Sequence, residues 1–129
     1  MIVDTSALVA IINAEPESFS FLSRLNRESN VRVSAVTAFE FGLVVDRWRR
    51  SAASAATDRL LVQIEAEIVP VDAETAQLAR SAYGRFGKGF HAAKLNFGDC
   101  FAYALAKESG EPLLFKGNEF SRTDVIPAV

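Results

Sequence analysis

Four acidic positions in this chain fall beside apolar runs, where a carboxylate needs a reason to be. Asp4 follows the apolar pair Ile2-Val3 and precedes the run Ala7 to Ile12. Glu40 lies between Phe39 and Phe41. Asp99 opens the run Cys100 to Ala106, which is apolar throughout. Glu119 follows Leu113-Leu114-Phe115, with Asp124 as the second candidate for the same place. Each has an ordinary explanation: Asp4 or Thr5 caps a helix, Asp99 offsets a helix dipole, Glu40 is half of a buried ion pair, and Glu119 is a solvated turn acid. Together they point elsewhere, because the carboxyl ends of parallel strands bring such residues to one sheet edge. Carboxylates gathered in a dry site cannot all ionise without a cation. Oxygen-only ligands select hard ions, which makes Mg²⁺ the expected ion and Mn²⁺ the alternative. An ion so held activates water and stabilises a departing oxygen, which is the chemistry of phosphodiester hydrolysis.

The elements that must position these acids follow from the apolar pattern. Ile2-Val3 reads as a buried strand and Thr5 to about Ala14 as a helix. Pro16 suits the first turn of a second helix carrying Phe19, Leu22 and Leu25. Val31, Val33 and Ala35 alternate with Arg32 and Ser34, a strand pattern. From Val36 the period turns helical, with Val36, Phe39, Leu43 and Val44 as the predicted buried face and Glu40 on the same stripe. Arg47, Arg49 and Arg50 end that helix, where cations suit the dipole, and Trp48 reads as a packing residue. Ser51 to Thr57 is a linker or a helix start, and Leu60, Leu61 and Ile64 continue a helix to about Ala66. Ile68, Val69 and Val71 form a third strand, which Pro70 places at an edge or a strand end. Asp72 caps the next helix, whose packing face is Ala76, Leu78, Ala79, Ala82 and Tyr83.

Gly84 to Gly89 reads as a loop by glycine content, continuing through His91 and Lys94 to Asn96. It is not a Walker loop, because Gly89 follows Lys88 where Ser or Thr is required. Gly98 to about Ser109 is a helix apolar nearly all round, hence buried on most sides, which puts Asp99 well inside the protein. Gly110 stops it, Pro112 to Phe115 is a fourth strand, and Val125 to Val129 is a candidate fifth. Strands alternating with helices predict an α/β sandwich around a mostly parallel sheet.

The 129 residues suit one domain spanning 1–129. A net charge of −2 gives no global attraction to nucleic acid, so any such contact needs a local basic patch. The single cysteine, Cys100, excludes an internal disulfide and suits a reducing, cytoplasmic setting; the single histidine, His91, argues against a His-rich zinc site. No apolar run is long enough to span a bilayer.

Met1 to Val9, the Glu within a Phe-rich helix, Leu95 to Ala106, and Leu113 to Gly117 together resemble the PIN domain, and more closely the VapC toxins of bacterial toxin–antitoxin pairs. The resemblance covers essentially the whole chain. It implies a PIN-like α/β/α sandwich with a sheet of about four to five strands, and a Mg²⁺-dependent endoribonuclease. The family's three core acids carry over to Asp4, Glu40 and Asp99, and the polar residue after the first acid to Thr5, with Ser6 beside it. Many members place an Asp directly after the last strand; here Gly117 stands there, and Glu119 is the substitute, with Asp124 second. The resemblance also implies a cognate VapB-like antitoxin and a homodimer. Lys88, His91 and Lys94 then gain a role as phosphate contacts, against the alternative of a merely solvated loop. Rival classes fit less well. A phospho-acceptor signalling domain needs its acceptor Asp at the end of a middle strand, and a haloacid-type phosphatase needs Asp where Ser6 stands. A catalytically inactive PIN-like module binding RNA or a partner is the remaining alternative.

Overall fold

The structure, a computed structural model, describes residues 1–129. Four short strands, β1 (Ile2–Val3), β2 (Arg32–Ser34), β3 (Glu67–Val69) and β4 (Leu113–Leu114), form one sheet in the order β3-β2-β1-β4, parallel throughout. Six helices connect them: α1 (Thr5–Ile12), α2 (Ser18–Leu25), α3 (Ala35–Asp46), α4 (Ser51–Gln63), α5 (Ala73–Phe86) and α6 (Phe97–Ser109). Alternation along the strands divides the interior in two. Val3, Val33 and Leu114 face a core completed by α1 to α4, whereas Ile2 and Leu113 face a second core completed by α5 and α6. The α/β sandwich expected from the pattern is therefore present. No helix is long and apolar enough to cross a membrane.

The C-terminal segment adds no fifth strand. It meets β4 through one bridge, Leu113 to Pro127, with Leu113 N–H donating to Ile126 and Ala128 N–H to Leu113 at 2.8 and 2.9 Å. As Pro70 suggested, β3 is an edge strand. Pro16 lies in the turn before α2 rather than in its first turn. Ser51 to Thr57 is helix, not linker, and α5 runs through Gly84 to Phe86, so the loop starts only at Gly87. Gly84 faces open space on the exposed side of α5 and interrupts nothing. Ala76 and Tyr83 are on that exposed side too, leaving Thr75, Ala79 and Ala82 as the buried face.

The largest correction concerns α3. Its buried residues are Thr37, Phe41 and Val45, whereas Phe39 is 71% and Leu43 42% exposed. The helix is apolar on nearly every side, so periodicity alone cannot choose the face; packing on α1, α4 and α6 chooses it. Phe41→Ala is accordingly expected to cost roughly 3–5 kcal/mol in urea denaturation. Phe39→Ala should stay within about 0.5 kcal/mol, as surface changes do. Equal losses in the two variants would contradict this orientation.

Candidate active site at the carboxyl edge of the sheet

Because every strand runs the same way, Asp4, Ser34 and Lys116 leave the sheet at one edge, and the acids gather there. Asp4 caps α1. Its Oδ2 accepts from the Ser6 N–H at 2.9 Å and the Ser6 hydroxyl at 2.6 Å, while Oδ1 is buried with no partner. The Ser6 hydroxyl in turn accepts from the Lys116 N–H at 3.0 Å, tying the end of β4 to α1. Burial pushes the Asp4 carboxyl up to about 6; the two Ser6 bonds oppose that rise and Glu40 adds to it. The capping explanation for Asp4 is thus true and incomplete, since one carboxylate oxygen serves the helix and the other serves nothing in the chain.

Glu40, in the second turn of α3, is half-buried at the edge of the stripe rather than within it. Thr5 donates its hydroxyl to Glu40 Oε1. No basic side chain pairs with Glu40, so the buried ion pair is absent. Its carboxylate lies against Gly98, where an added Cβ would stand 2.1 Å from Oε2. Gly98 therefore leaves the space that Glu40 fills. Gly98→Ala should keep the fold, since only the end of a flexible side chain must move, and alanine is the better helix former. It should lower activity by displacing Glu40 from Thr5. A thermal melt within a few degrees of wild type, with cleavage reduced at least about tenfold, is the expected pair of results.

Asp99 and Asn96 form a reciprocal capping box at the start of α6. Asn96 N–H donates to Asp99 Oδ2 and Asp99 N–H to Asn96 Oδ1, both at 2.9 Å. Asp99 is only partly buried, with Asn96 and Phe97 exposed beside it. The helix is buried at Cys100 and from Ala102 to Ala106, but its first turn opens onto a groove, contrary to the depth expected from the apolar run. Burial pushes Asp99 up to about 7, with Asp4, Glu40 and Glu119 adding to the rise and the Asn96 N–H opposing it.

Glu119 completes the acidic wall. Gly117 has φ +104°, and a Cβ there would stand 2.5 Å from Glu119 Oε2. The residue without a side chain after the last strand is what gives Glu119 room to reach back. Asp124 is engaged elsewhere, by the Tyr103 hydroxyl at 2.7 Å, Lys107 at 3.3 Å and Arg85 at 3.5 Å.

Three of these acids, Asp4, Asp99 and Glu119, line a groove of about 580 Å³, and Glu40 does not. Lys88 and Lys94 are on the same walls and His91 is not; His91 packs its ring edge on Phe86 and accepts from the Ala93 N–H at 3.0 Å. The loop carrying the lysines is a bonded turn. Lys88 N–H donates to Leu95, Leu95 N–H to Phe86 and Lys94 N–H to His91, at 2.9 to 3.1 Å, and Lys94 takes φ 56°. Lys116, which also lines the groove, is paired with Glu15 and, at 3.1 Å, with Glu17.

No three acidic, His or Cys side chains are already drawn together as an ion's ligands. The donor chemistry nevertheless fits a hard cation that keeps most of its water, as Mg²⁺ does. The donors are carboxylate oxygens, one of them a buried acceptor without a donor, and Asp99 is raised by burial and, secondly, by neighbouring carboxylates whose charge a cation would offset.

A family model for the PIN domain matches residues 1–126. A VapC ribonuclease of Mycobacterium bovis is 45% identical over 130 residues, covering 100% of this chain and 98% of that protein. The chain belongs to the VapC ribonucleases of the PIN-domain family. The fold agrees: VapC20 of Mycobacterium tuberculosis, a sarcin-ricin-loop-cleaving toxin, superposes with a TM-score of 0.79 at 18% identity, over 97% of this chain and 95% of that one. A chain of a toxin–antitoxin complex from Klebsiella pneumoniae gives 0.72 at 15% identity, over 99% and 97%. The PIN-like sandwich and the family read from the motifs are both as found. Two features carry weaker marks in the sequence. The Asn96–Asp99 box is detectable only from its spacing. The roles of Gly98 and Gly117 as spaces for distant carboxylates carry no local signal.

Proposed function

We propose that this VapC-family chain is a metal-dependent endoribonuclease, the toxin of a toxin–antitoxin pair, acting as one domain in the cytoplasm. The observation that carries the reading is the unpaired buried oxygen of Asp4 in a groove also walled by Asp99 and Glu119. Asp4, Asp99 and Glu119 would hold the ion, as the carboxylates that line the groove. When bound, Mg²⁺ or Mn²⁺ would supply an activated water and charge for the departing oxygen. Glu40 fixes the Thr5 hydroxyl and adds negative charge behind the ligands. Ser6 orients Asp4 and keeps the end of β4 in place. Lys88 and Lys94 hold phosphates on the groove wall, which positions the strand without reading its sequence. A small antitoxin with a basic segment suits the acidic groove, in keeping with the complex formed by one structural neighbour. Exposed Phe39 and Leu43 offer an apolar face for self-association into a homodimer.

The test is cleavage of total RNA by purified protein with Mg²⁺, with Mn²⁺ and with chelator. Cleavage in both metals and none in chelator is expected; equal cleavage in chelator would overturn the reading. Lys88→Ala with Lys94→Ala should weaken RNA binding and lower the slope of log affinity against log salt by about 0.7 for each phosphate left without its lysine. Mg²⁺ affinity should stay unchanged. An unaltered salt slope would leave the two lysines without a phosphate role.

A further inference from the structure

A smaller hollow of about 270 Å³ adjoins the acidic groove, and the two share Lys94 and Glu119. Ala92, Ala93, Asn118 and Arg122 complete its lining. Two fixed turns build it. The loop before α6 brings Lys94, seated by the buried Ala93 and by Lys94 N–H donating to His91 at 3.1 Å. The segment after β4 brings Asn118 and Arg122. It holds a 3-10 turn over Phe120–Arg122, whose buried Phe120 packs its ring 5.2 Å from that of Phe115. The Thr123 hydroxyl closes that turn by donating to the Phe120 carbonyl at 2.7 Å.

The polar groups of this hollow are uncommitted. Arg122 is exposed and makes no ion pair, although Asp124 is close in sequence, because Asp124 is taken by Lys107 at 3.3 Å and Arg85 at 3.5 Å. Lys94 is unpaired as well. Asn118 spends its backbone carbonyl on the Ser121 hydroxyl at 2.8 Å and leaves its side-chain amide free. The one acid of the lining, Glu119, has its Oε2 against Gly117, which lines the groove and not the hollow. Its charge is therefore spent on the groove side.

That donor set selects an anion with several oxygens. A guanidinium fork, an ammonium and an amide match the free oxygens of a phosphodiester. No ring lines the hollow, so it offers a base nothing to stack on. A protein carboxylate would satisfy the same fork. The hollow, however, continues the groove in which the scissile phosphodiester is placed, and that same strand carries a phosphate at every step.

We propose that this hollow is a phosphate subsite for RNA, in which Arg122 and Asn118 hold a phosphate flanking the scissile one, on the Glu119 side of the groove. The proposal rests on the ribonuclease reading and deepens it, because it gives the bound strand one direction of exit. Lys94 stands at the divide and serves both cavities. Such a contact sets the register of the strand and carries no sequence information.

The probe is a short RNA with one site that wild type cuts, made in versions that each bear one uncharged methylphosphonate beside the scissile bond. The readout is kcat/KM for cleavage in Mg²⁺ and its salt dependence. Arg122→Ala is expected to lower kcat/KM about tenfold, the weight of one charge-assisted contact. It should also lower the slope of log kcat/KM against log salt by about 0.7. Arg122→Lys should keep the slope and recover part of the rate, since it keeps the charge and loses the fork. Asn118→Ala should cost about threefold, as a neutral hydrogen bond does. Arg59→Ala removes an exposed, unpaired cation from α4 and should change neither quantity. One methylphosphonate position should cost wild type about tenfold and Arg122→Ala nothing further, the mark of two groups in contact. Every variant should keep the wild-type melting temperature and Mg²⁺ affinity. Losses that multiply at every position, or an Arg122→Ala effect no larger than that of Arg59→Ala, would overturn the subsite while cleavage by wild type still stood. Wild-type kcat/KM in Arg122→Ala together with weaker inhibition by the antitoxin would make the hollow a contact for a protein carboxylate and overturn it equally. Absence of cleavage by wild type in Mg²⁺ and Mn²⁺ is the separate failure of the ribonuclease reading, and the subsite falls with it.

Discussion

Asp99→Asn should reduce RNA cleavage on the order of 10³-fold and at the same time raise the melting temperature of the metal-free protein. The two effects have one cause. Asp99 is pushed up to about 7 by burial and by Asp4, Glu40 and Glu119, so its charge opposes folding when no cation is present. Asparagine keeps the oxygen that accepts from Asn96 N–H, hence the capping box, and removes the charge. A thousandfold loss corresponds to about 4 kcal/mol of barrier, within the several kcal/mol a catalytic ion supplies. In the metal-free melt at pH 8 a gain of a few degrees is expected, since about 1 kcal/mol moves a domain of this size by roughly 3–6 °C. Retained cleavage would remove Asp99 from the metal site. A lower metal-free melting point would mean that Asp99 is a structural cap and nothing more.

What the chain discloses locally and what it conceals divide along physical lines. Asp4 is legible because a strand, an acid and a helix follow one another within a few residues. The burial of α6 from Ala102 to Ala106 is legible from a run apolar on all sides. Glu40 stands out as the one charge among apolar neighbours, although the face that periodicity assigns to its helix is wrong. A helix apolar nearly all round gives periodicity no purchase, and only the neighbouring helices select Phe41 and Val45 over Phe39 and Leu43. The pattern places Asp99 too deep for a similar reason: the burial of a helix says little about its first turn, which here meets an exposed loop. The contributions of Gly98 and Gly117 are spaces rather than groups, and a space is defined by residues elsewhere in the chain. That also explains how Gly117, which looks like a missing acid, makes room for Glu119.

Metal-free protein should be most stable on the acid side of neutrality, and Mg²⁺ should move that optimum upward. Asp4 and Asp99 sit at about 6 and about 7 in the fold, against 3.8 for an unperturbed Asp. A folded value raised above the unfolded one favours the fold fully below about pH 4, and that contribution is lost as pH rises through the folded value. From pH 8 down to about 4 the melting temperature in chelator should therefore climb. Below that, groups of the opposite kind take over. Asp124, held down by the Tyr103 hydroxyl and Lys107, and Asp72, held down by the Thr75 N–H and hydroxyl, stabilise the fold only while ionised. Their protonation turns the curve down again. Mg²⁺ would bind the ionised carboxylates, so protons would compete with it and its stabilisation should be largest above pH 7. There it should approach about 2.7 kcal/mol at a hundredfold excess over the dissociation constant. At pH 5 it should nearly vanish. Asp4→Asn should flatten the metal-free rise and lose most of the Mg²⁺ gain, because it removes both a repelling charge and a proposed ligand. Melting curves from pH 4.5 to 8.5, in chelator and in Mg²⁺, for wild type and Asp4→Asn, make the comparison. A metal-free profile that rises from pH 5 to pH 8, with no added stability from Mg²⁺ at pH 8, would show that these carboxylates are matched by partners within the chain and do not await a cation.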